Sequence, residues 1–262
     1  MTAHGQYTTQ LQAGLGLVQE TRLLLNLWSQ GMSSPALYLA ALHSGQFPNV
    51  SARRLRNIVR ECFAPRYLTA EGRSARYLKQ LASALAPAEL NQLFFLHTCR
   101  ANQVLADFVR TVFWERYAAG ADRVTVDDAK AFIRRGVDDG KTAKRWSDST
   151  VEHVSSYLLG CCADYCLLGK RTLAARAIVP YRIEAKTAAY LAHDLHFAGL
   201  GDNALLAHPD WQLFGLSRED VRDELKRLSL QGHLILQSAG EITHIGWKHK
   251  HMEDLIGVLA EG

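Results

Sequence analysis

SARRLRNIVRECF, residues 51–63, is the stretch that decides the fold of the N-terminal part of the chain. Four of its residues recur at helical spacing and form one apolar face: Leu55, Ile58, Val59 and Cys62. Ser51 is a typical N-cap residue, so we expect a helix to begin directly after it. The pattern therefore predicts a helix that packs against a core along one side.

The opposite face of this predicted helix, which we call the arginine helix, carries hydrogen-bonding side chains. At about 100° per residue, the residues on that face are Arg53, Arg56, Asn57 and Arg60, with Arg54 on the flank. Arginine pairs with guanine edges and phosphates, and asparagine pairs with adenine. The pattern predicts a DNA-recognition helix. It leaves open a solvated surface helix that is rich in arginine.

The distribution of charge favours the DNA-binding interpretation. Residues 51–100 hold nine Lys and Arg against three Asp and Glu, a net charge of +6, although the whole chain carries only +4. Residues 201–262 hold six against ten, a net charge of −4. Positive charge is thus concentrated around the arginine helix, as a phosphate-binding surface requires.

More basic residues follow the arginine helix, interleaved with tyrosines. We predict further phosphate contacts from four of them: Arg66, Arg73, Arg76 and Lys79. Tyr67 and Tyr77 lie between these cations, and aromatic rings can stack on bases. The alternative is a polar linker whose tyrosines anchor it to the core.

The rest of the pattern predicts a mainly α-helical protein with three regions, 1–80, 81–180 and 181–262. In the first, a helix at Gly16–Gln30 and a second one, capped by Ser34 and running to about His43, precede the arginine helix, the order of a helix-turn-helix-like bundle. In the helical middle, Ala88–Tyr117 is apolar on nearly all sides and predicts a buried central helix or a bent pair. A later helix, Thr150–Leu168, is expected to end at Gly169.

The last region has the order of a winged-helix-like module with a small β-hairpin. Ser217 caps a predicted helix to Leu228, and two strand-like runs follow it, HLILQ and EITHIGW, joined by a predicted turn at Ser238-Ala239-Gly240. Four outward positions on that helix carry mixed charge: Glu219, Arg222, Asp223 and Lys226. This mixed face fits phosphate poorly and favours contact with protein. A DNA-binding role of this region stays open because three residues after the hairpin are basic or titratable: Lys248, His249 and Lys250.

Other features of the sequence argue against metal, cofactor and membrane chemistry. The five cysteines are odd in number and lie mostly in apolar helical patterns, which predicts buried free thiols and suits a reducing cytosol. We expect His193 and His196, three residues apart, to be ordinary surface or core histidines. No phosphate-cradling glycine motif, signal peptide or transmembrane run is present. We therefore expect a soluble, cytoplasmic protein with no cofactor and no metal.

Three segments resemble a known family. The run WSDSTVEHVSSYLLGCCADYCLLG, Trp146–Gly169, resembles the segment W-S-x-x-T … L-x-x-x-G-L-L of the BrxA family, from the BREX bacteriophage-exclusion systems of bacteria. Leu105–Ile133 and Thr21–Gly31 are similar to that family's middle region and opening helix. The resemblance implies a small, non-enzymatic, helical component of a phage-defence locus with DNA-binding modules. It carries no catalytic motif to transfer.

Three functions therefore remain in competition. The first is a double-stranded-DNA-binding component of a BREX system that uses the arginine helix. The second is an assembly or adaptor protein that binds other BREX proteins, as the acidic C-terminal region suggests. The third is an RNA-binding, antitermination-like factor. An enzyme is the least favoured class, because the sequence offers no set of nucleophile, base and orienting group.

Overall fold

The computed structural model describes residues 6–13, 16–172, 175–239 and 242–261. The chain forms two compact units, each built from two stretches of sequence. The first unit consists of Met1–Arg76 and Phe94–Tyr181, and the second of Tyr77–Leu93 and Arg182–Gly262. The mainly helical fold with a hairpin near the C-terminus is confirmed. The division into three regions stays a prediction, because compactness alone does not show which segments fold independently.

The first unit opens with the predicted short helices. Helix α1 is Val18–Leu27, α2 is Ser34–His43 and α3 is Ala52–Asn57. From α3 the chain stays helical through a wide π-helical turn, Ile58–Phe63, into α4, Ala64–Tyr67. The arginine helix therefore runs beyond its predicted end at Phe63.

Short helical segments complete the start of the chain. A 3-10 turn, Gln10–Ala13, precedes α1, and another, Ala70–Gly72, leads into α5, Arg73–Leu81. Ser33, and not Ser34, caps α2, because its hydroxyl accepts a hydrogen bond from the Ala36 amide at 3.4 Å. The predicted start of α2 is therefore wrong by one residue.

The apolar middle of the chain forms a bent set of helices. Helix α6, Pro87–Ala101, ends where Asn102 takes an extended conformation and donates from its side chain to the Thr98 carbonyl at 2.9 Å. Helix α7, Gln103–Phe108, then continues through a second π-helical turn into α8. These last two segments are Val109–Phe113 and Trp114–Ala118. Of the two predicted arrangements, the bent pair is confirmed.

A small sheet follows, which the sequence pattern did not predict. Strand β1 is Arg123–Thr125, β2 is Leu168–Thr172 and β3 is Ala175–Ile178. Antiparallel β3 lies between β1 and β2. Helices α9, Val126–Asp138, and α10, Asp148–Asp164, fill the interval between β1 and β2 and pack on each other.

Helix α10 is shorter than its pattern predicts, and the expected end at Gly169 is wrong. Cys166 adopts a left-handed conformation, with φ of 63°, directly after the helix. The Leu167 amide then donates to the Cys162 carbonyl at 2.9 Å, which closes the last turn as a left-handed cap does. Leu168 is therefore the first residue of β2, and Gly169 lies inside that strand.

In the second unit, residues 182–262 form helices followed by a β-hairpin, as predicted, whereas the winged-helix arrangement stays a prediction. The helices of this stretch are α11 to α15, in chain order Ala185–Phe197, Asp202–Leu206, Pro209–Gln212, Arg218–Leu230 and Met252–Glu261. Strands β4, Leu234–Ala239, and β5, Ile242–Trp247, form the hairpin. The predicted turn at Ser238-Ala239-Gly240 is in part strand, and Gly240 lies outside the described residues. Helix α15 was not predicted.

Local sequence signals explain the best-defined helix starts. Thr125 before α9 and Ser217 before α14 each form a full capping box, with Asp128 and Asp220 as the reciprocal partners. In each case the sequence carries the signal, a hydroxyl residue three positions before an aspartate. Four of the five cysteines are buried, as predicted. Cys166 is exposed, because the left-handed cap of α10 turns it out of the apolar pattern.

Candidate nucleic-acid interface

The arginine helix begins as its sequence predicts. The Ser51 hydroxyl accepts a hydrogen bond from the Arg54 amide at 3.2 Å, so it satisfies one of the amides that an α-helix leaves open at its first turn. Ala52 is the first helical residue. This cap fixes the start of the helix and therefore the direction in which each arginine side chain leaves the backbone.

One side of the arginine helix is buried in the first unit. The buried side chains are those that the apolar spacing identified: Leu55, Ile58, Val59 and Cys62. They pack against α1 and α2. Burial raises the pKa of the Cys62 thiol, even though the Arg66 and Arg54 charges act in the opposite direction. The apolar face thus anchors the helix and leaves its other face to solvent.

The opposite face carries the predicted base-reading and phosphate-binding groups. All five of its predicted site residues are exposed: Arg53, Arg54, Arg56, Asn57 and Arg60. The Arg56 guanidinium lies 5.3 Å from the centre of the Tyr38 ring, a cation–π contact with α2. Arg60 contacts the Glu61 carboxylate at 3.4 Å, and both side chains remain well exposed. An exposed pair of this kind contributes little to stability and can exchange for a phosphate.

The structure contradicts the predicted role of Arg66. Its side chain is only 4% exposed, and Nη1 donates to the Gly16 carbonyl at 3.2 Å. A guanidinium held inside the first unit cannot reach a DNA phosphate, so we withdraw Arg66 from the interface. Arg66 instead ties the end of the arginine helix to the segment before α1.

The other three flanking cations have mixed positions. Arg73 is exposed, while Arg76 and Lys79 are half-buried on α5. Arg73 and Arg76 belong to the first unit, and Lys79 belongs to the second. Their phosphate contacts stay predictions.

Tyr67 and Tyr77 anchor the chain and do not present rings to a nucleic acid. Both are buried, and the Tyr77 hydroxyl donates to the Glu253 carboxylate at 2.9 Å within the second unit. The base-stacking interpretation of these tyrosines is wrong. They anchor the chain, as the alternative predicts, but the segment that carries them is helical and not a linker. Sequence reasoning also missed Tyr38, whose contact with Arg56 joins the consecutive helices α2 and α3.

His193 and His196 differ in their surroundings. His193 is fully buried, its Nδ1 lies 2.8 Å from the Ala189 carbonyl, and burial lowers its pKa to about 4. His196 stacks on the Trp247 ring at 4.2 Å. Across residues 6–13, 16–172, 175–239 and 242–261, no three His, Cys, Asp or Glu side chains are grouped in a way that could hold a metal ion. In the same ranges, no helix has the length and apolarity needed to span a bilayer.

A protein family and a solved structure are similar to this chain. A family model described as BrxA matches residues 5–194. Among solved structures, an uncharacterized protein from Magnetospirillum magneticum is similar, with 15% sequence identity and a TM-score of 0.57. The match covers 73% of this chain and 95% of that chain, and at this identity it concerns the fold alone. No curated protein matches the chain.

Proposed function

The chain belongs to the BrxA family of BREX components, and we propose that it binds double-stranded DNA without acting as an enzyme. In this proposal the exposed face of the arginine helix contacts the duplex. The phage-defence role follows from the family. Support for a non-enzymatic role comes from the absence of phosphate-cradling and nucleophile motifs in the sequence.

The observation that carries the proposal is the division of the arginine helix into two faces. Its apolar face is packed into the first unit, so the arginines on the other face project from a fixed support. A fixed helix that exposes arginine and asparagine is the element that helix-turn-helix proteins place in the major groove. Arg53, Arg56 and Arg60 would contact phosphates or guanines, and Asn57 would approach a base edge.

Charge supports the same surface. Glu61 is the one acidic residue between positions 51 and 70. Few carboxylates of the same segment therefore compete with DNA phosphates for the arginine side chains. Phosphate contacts release condensed counterions, and they supply most of the affinity of such a surface.

Replacement of three arginines tests the proposal. In the variant with Arg53→Ala, Arg56→Ala and Arg60→Ala, we expect weaker duplex binding and a flatter dependence on salt, by about one unit of log–log slope for each lost phosphate contact. A matched control removes three exposed cations elsewhere: Arg134, Arg135 and Lys170. Equal losses in the two variants would refute the assignment, because net charge alone would then explain binding. Tighter binding to duplex RNA than to DNA would favour the antitermination-like alternative.

A second candidate function, assembly with other BREX proteins, is favoured by the surface of the second unit. Three large apolar side chains are exposed there: Leu230 at 90%, Ile235 at 51% and Val258 at 45%. Residues 201–262 carry a net charge of −4, which disfavours contact with phosphate. Co-purification of the other BREX proteins should weaken in a Leu230→Ser, Ile235→Ser variant. Unchanged co-purification in this variant would contradict the adaptor role of this surface.

A further inference from the structure

A cavity of about 570 Å³ opens in the first unit beside the start of α10. Its lining comes from Tyr7–Thr9 and from the segment Ala143–Ser147, with Thr150. A cavity of this size falls within the range of small-molecule sites. It includes Trp146 of the W-S-x-x-T motif, which the proposed DNA-binding surface does not use.

Trp146 differs from the other tryptophans of the chain. The other four each have an aromatic contact or an indole hydrogen bond: Trp28, Trp114, Trp211 and Trp247. In the part of the chain that the structure describes, Trp146 has neither, although its side chain is half-buried and lines the cavity. Its indole ring and its N–H donor are therefore both available to a planar ligand that can accept a hydrogen bond.

Tyr7, which lines the cavity with Thr8 and Thr9, is held in place by several contacts. The Tyr7 amide donates to the Lys141 carbonyl at 2.7 Å, and the Tyr7 hydroxyl donates to Asp107 at 2.9 Å. The Tyr7 ring lies so close to Gly136 that a Cβ at that position would approach it to 2.5 Å. Thr8 and Thr9 follow Tyr7 directly in the sequence. The amide hydrogen bond and the ring contact of Tyr7 therefore also restrain the backbone that carries the two threonine hydroxyls.

The polar groups around the cavity select for an anion. None of the described residues that line the cavity is acidic. Lys144 is exposed and has no ion-pair partner among the described residues. Arg145 is also exposed, and it contacts Asp138 at 3.4 Å. Together with the Thr8 and Thr9 hydroxyls, these groups provide donors and positive charge, and of the two cations only Arg145 has an acidic partner among the described residues.

We propose that this cavity binds a nucleotide, with the base against Trp146 and the phosphate at Lys144. A planar ring joined to an anion matches the Trp146 indole, which has neither a ring contact nor a hydrogen bond among the described residues, and the adjacent Lys144 cation. The site is separate from the arginine helix, and the proposal does not depend on duplex binding.

Calorimetric titration of the full chain with adenosine 5′-monophosphate tests the site. We expect binding that is at least about tenfold tighter than that of adenosine or inorganic phosphate. Lys144→Ala should weaken it about tenfold, whereas Lys170→Ala, an exposed lysine outside the cavity, should leave it unchanged. Trp146→Phe, which keeps an aromatic face, should retain most of the affinity that Trp146→Ala loses.

Three results would overturn the proposal. They are no detectable binding at about 5 mM nucleotide, equal affinity in Lys144→Ala and the unmodified chain, and inorganic phosphate binding as tightly as the nucleotide. Retained nucleotide binding in the triple arginine variant would show that this site stands apart from the proposed DNA surface. Competition by a 5′-phosphorylated single-stranded oligonucleotide would identify the bound nucleotide as a strand end. Its failure to compete, with nucleotide binding intact, would identify a free nucleotide.

Discussion

Acid should destabilise the second unit through His193. The unfolded-state pKa of histidine is 6.5, and burial lowers the pKa of His193 in the folded chain to about 4. The folded state therefore binds fewer protons between these values, so stability is complete above pH 6.5 and falls as pH decreases toward 4. A difference of this size corresponds to roughly 3 kcal/mol lost by pH 4. Burial lowers the pKa of His196 and His233 as well, which adds a loss of the same sign.

The variant His193→Asn isolates this contribution. Asparagine can still donate to the Ala189 carbonyl, as the Nδ1 hydrogen of His193 does, but it does not titrate. Urea unfolding followed by circular dichroism at pH 7, 6, 5 and 4.5 would give the free energy of unfolding of both proteins. We expect the difference between them to shift by roughly 1 kcal/mol per pH unit below 6.5. Parallel pH profiles would refute the conclusion that His193 is buried in its neutral form.

Three further substitutions test the packing and the interface. Gly136→Ala places a Cβ 2.5 Å from the Tyr7 ring. This substitution should destabilise the first unit by about 1–3 kcal/mol in urea unfolding, and an unchanged unfolding midpoint would contradict this packing. Ser51→Ala removes the cap of the arginine helix and should cost about 1 kcal/mol in the same assay, while Ser83→Ala, at an exposed position, serves as its control. Arg66→Met should lower stability but leave the salt slope of DNA binding unchanged, since the side chain is buried; a flatter slope in a folded variant would restore Arg66 to the interface.

The arginine helix shows both the reach and the limit of sequence reasoning. Helical spacing identified its buried and exposed faces, because burial of apolar side chains determines how an amphipathic helix is oriented. The same spacing, continued from Leu55 through Val59 and Cys62, places Arg66 on the buried face. Pro65, however, indicates a helix end before Arg66, since proline usually ends a helix. The wide turn Ile58–Phe63 accommodates it, and the helix continues to Tyr67.

Contacts between residues that lie far apart in the sequence could not be predicted from local sequence patterns. Strand β1 has three residues and pairs with β3, about fifty residues later, so the pairing and not local propensity defines it. Each compact unit combines two separate stretches of chain, which no local pattern reveals. The cavity at Trp146 depends on Tyr7–Thr9 lying beside residues that are more than 130 positions away. In the sequence, only the family resemblance distinguishes Trp146 from the other tryptophans.

The proposed function depends above all on duplex DNA binding by the exposed face of the arginine helix. Its most direct test is a titration of fluorescent duplex DNA with the full chain at several salt concentrations, alongside the triple arginine variant and its control triple. We expect a steep negative log–log slope for the unmodified chain and the control, and a slope flatter by about three units for the variant. Absence of binding at low salt, or the same slope in all three proteins, would contradict it.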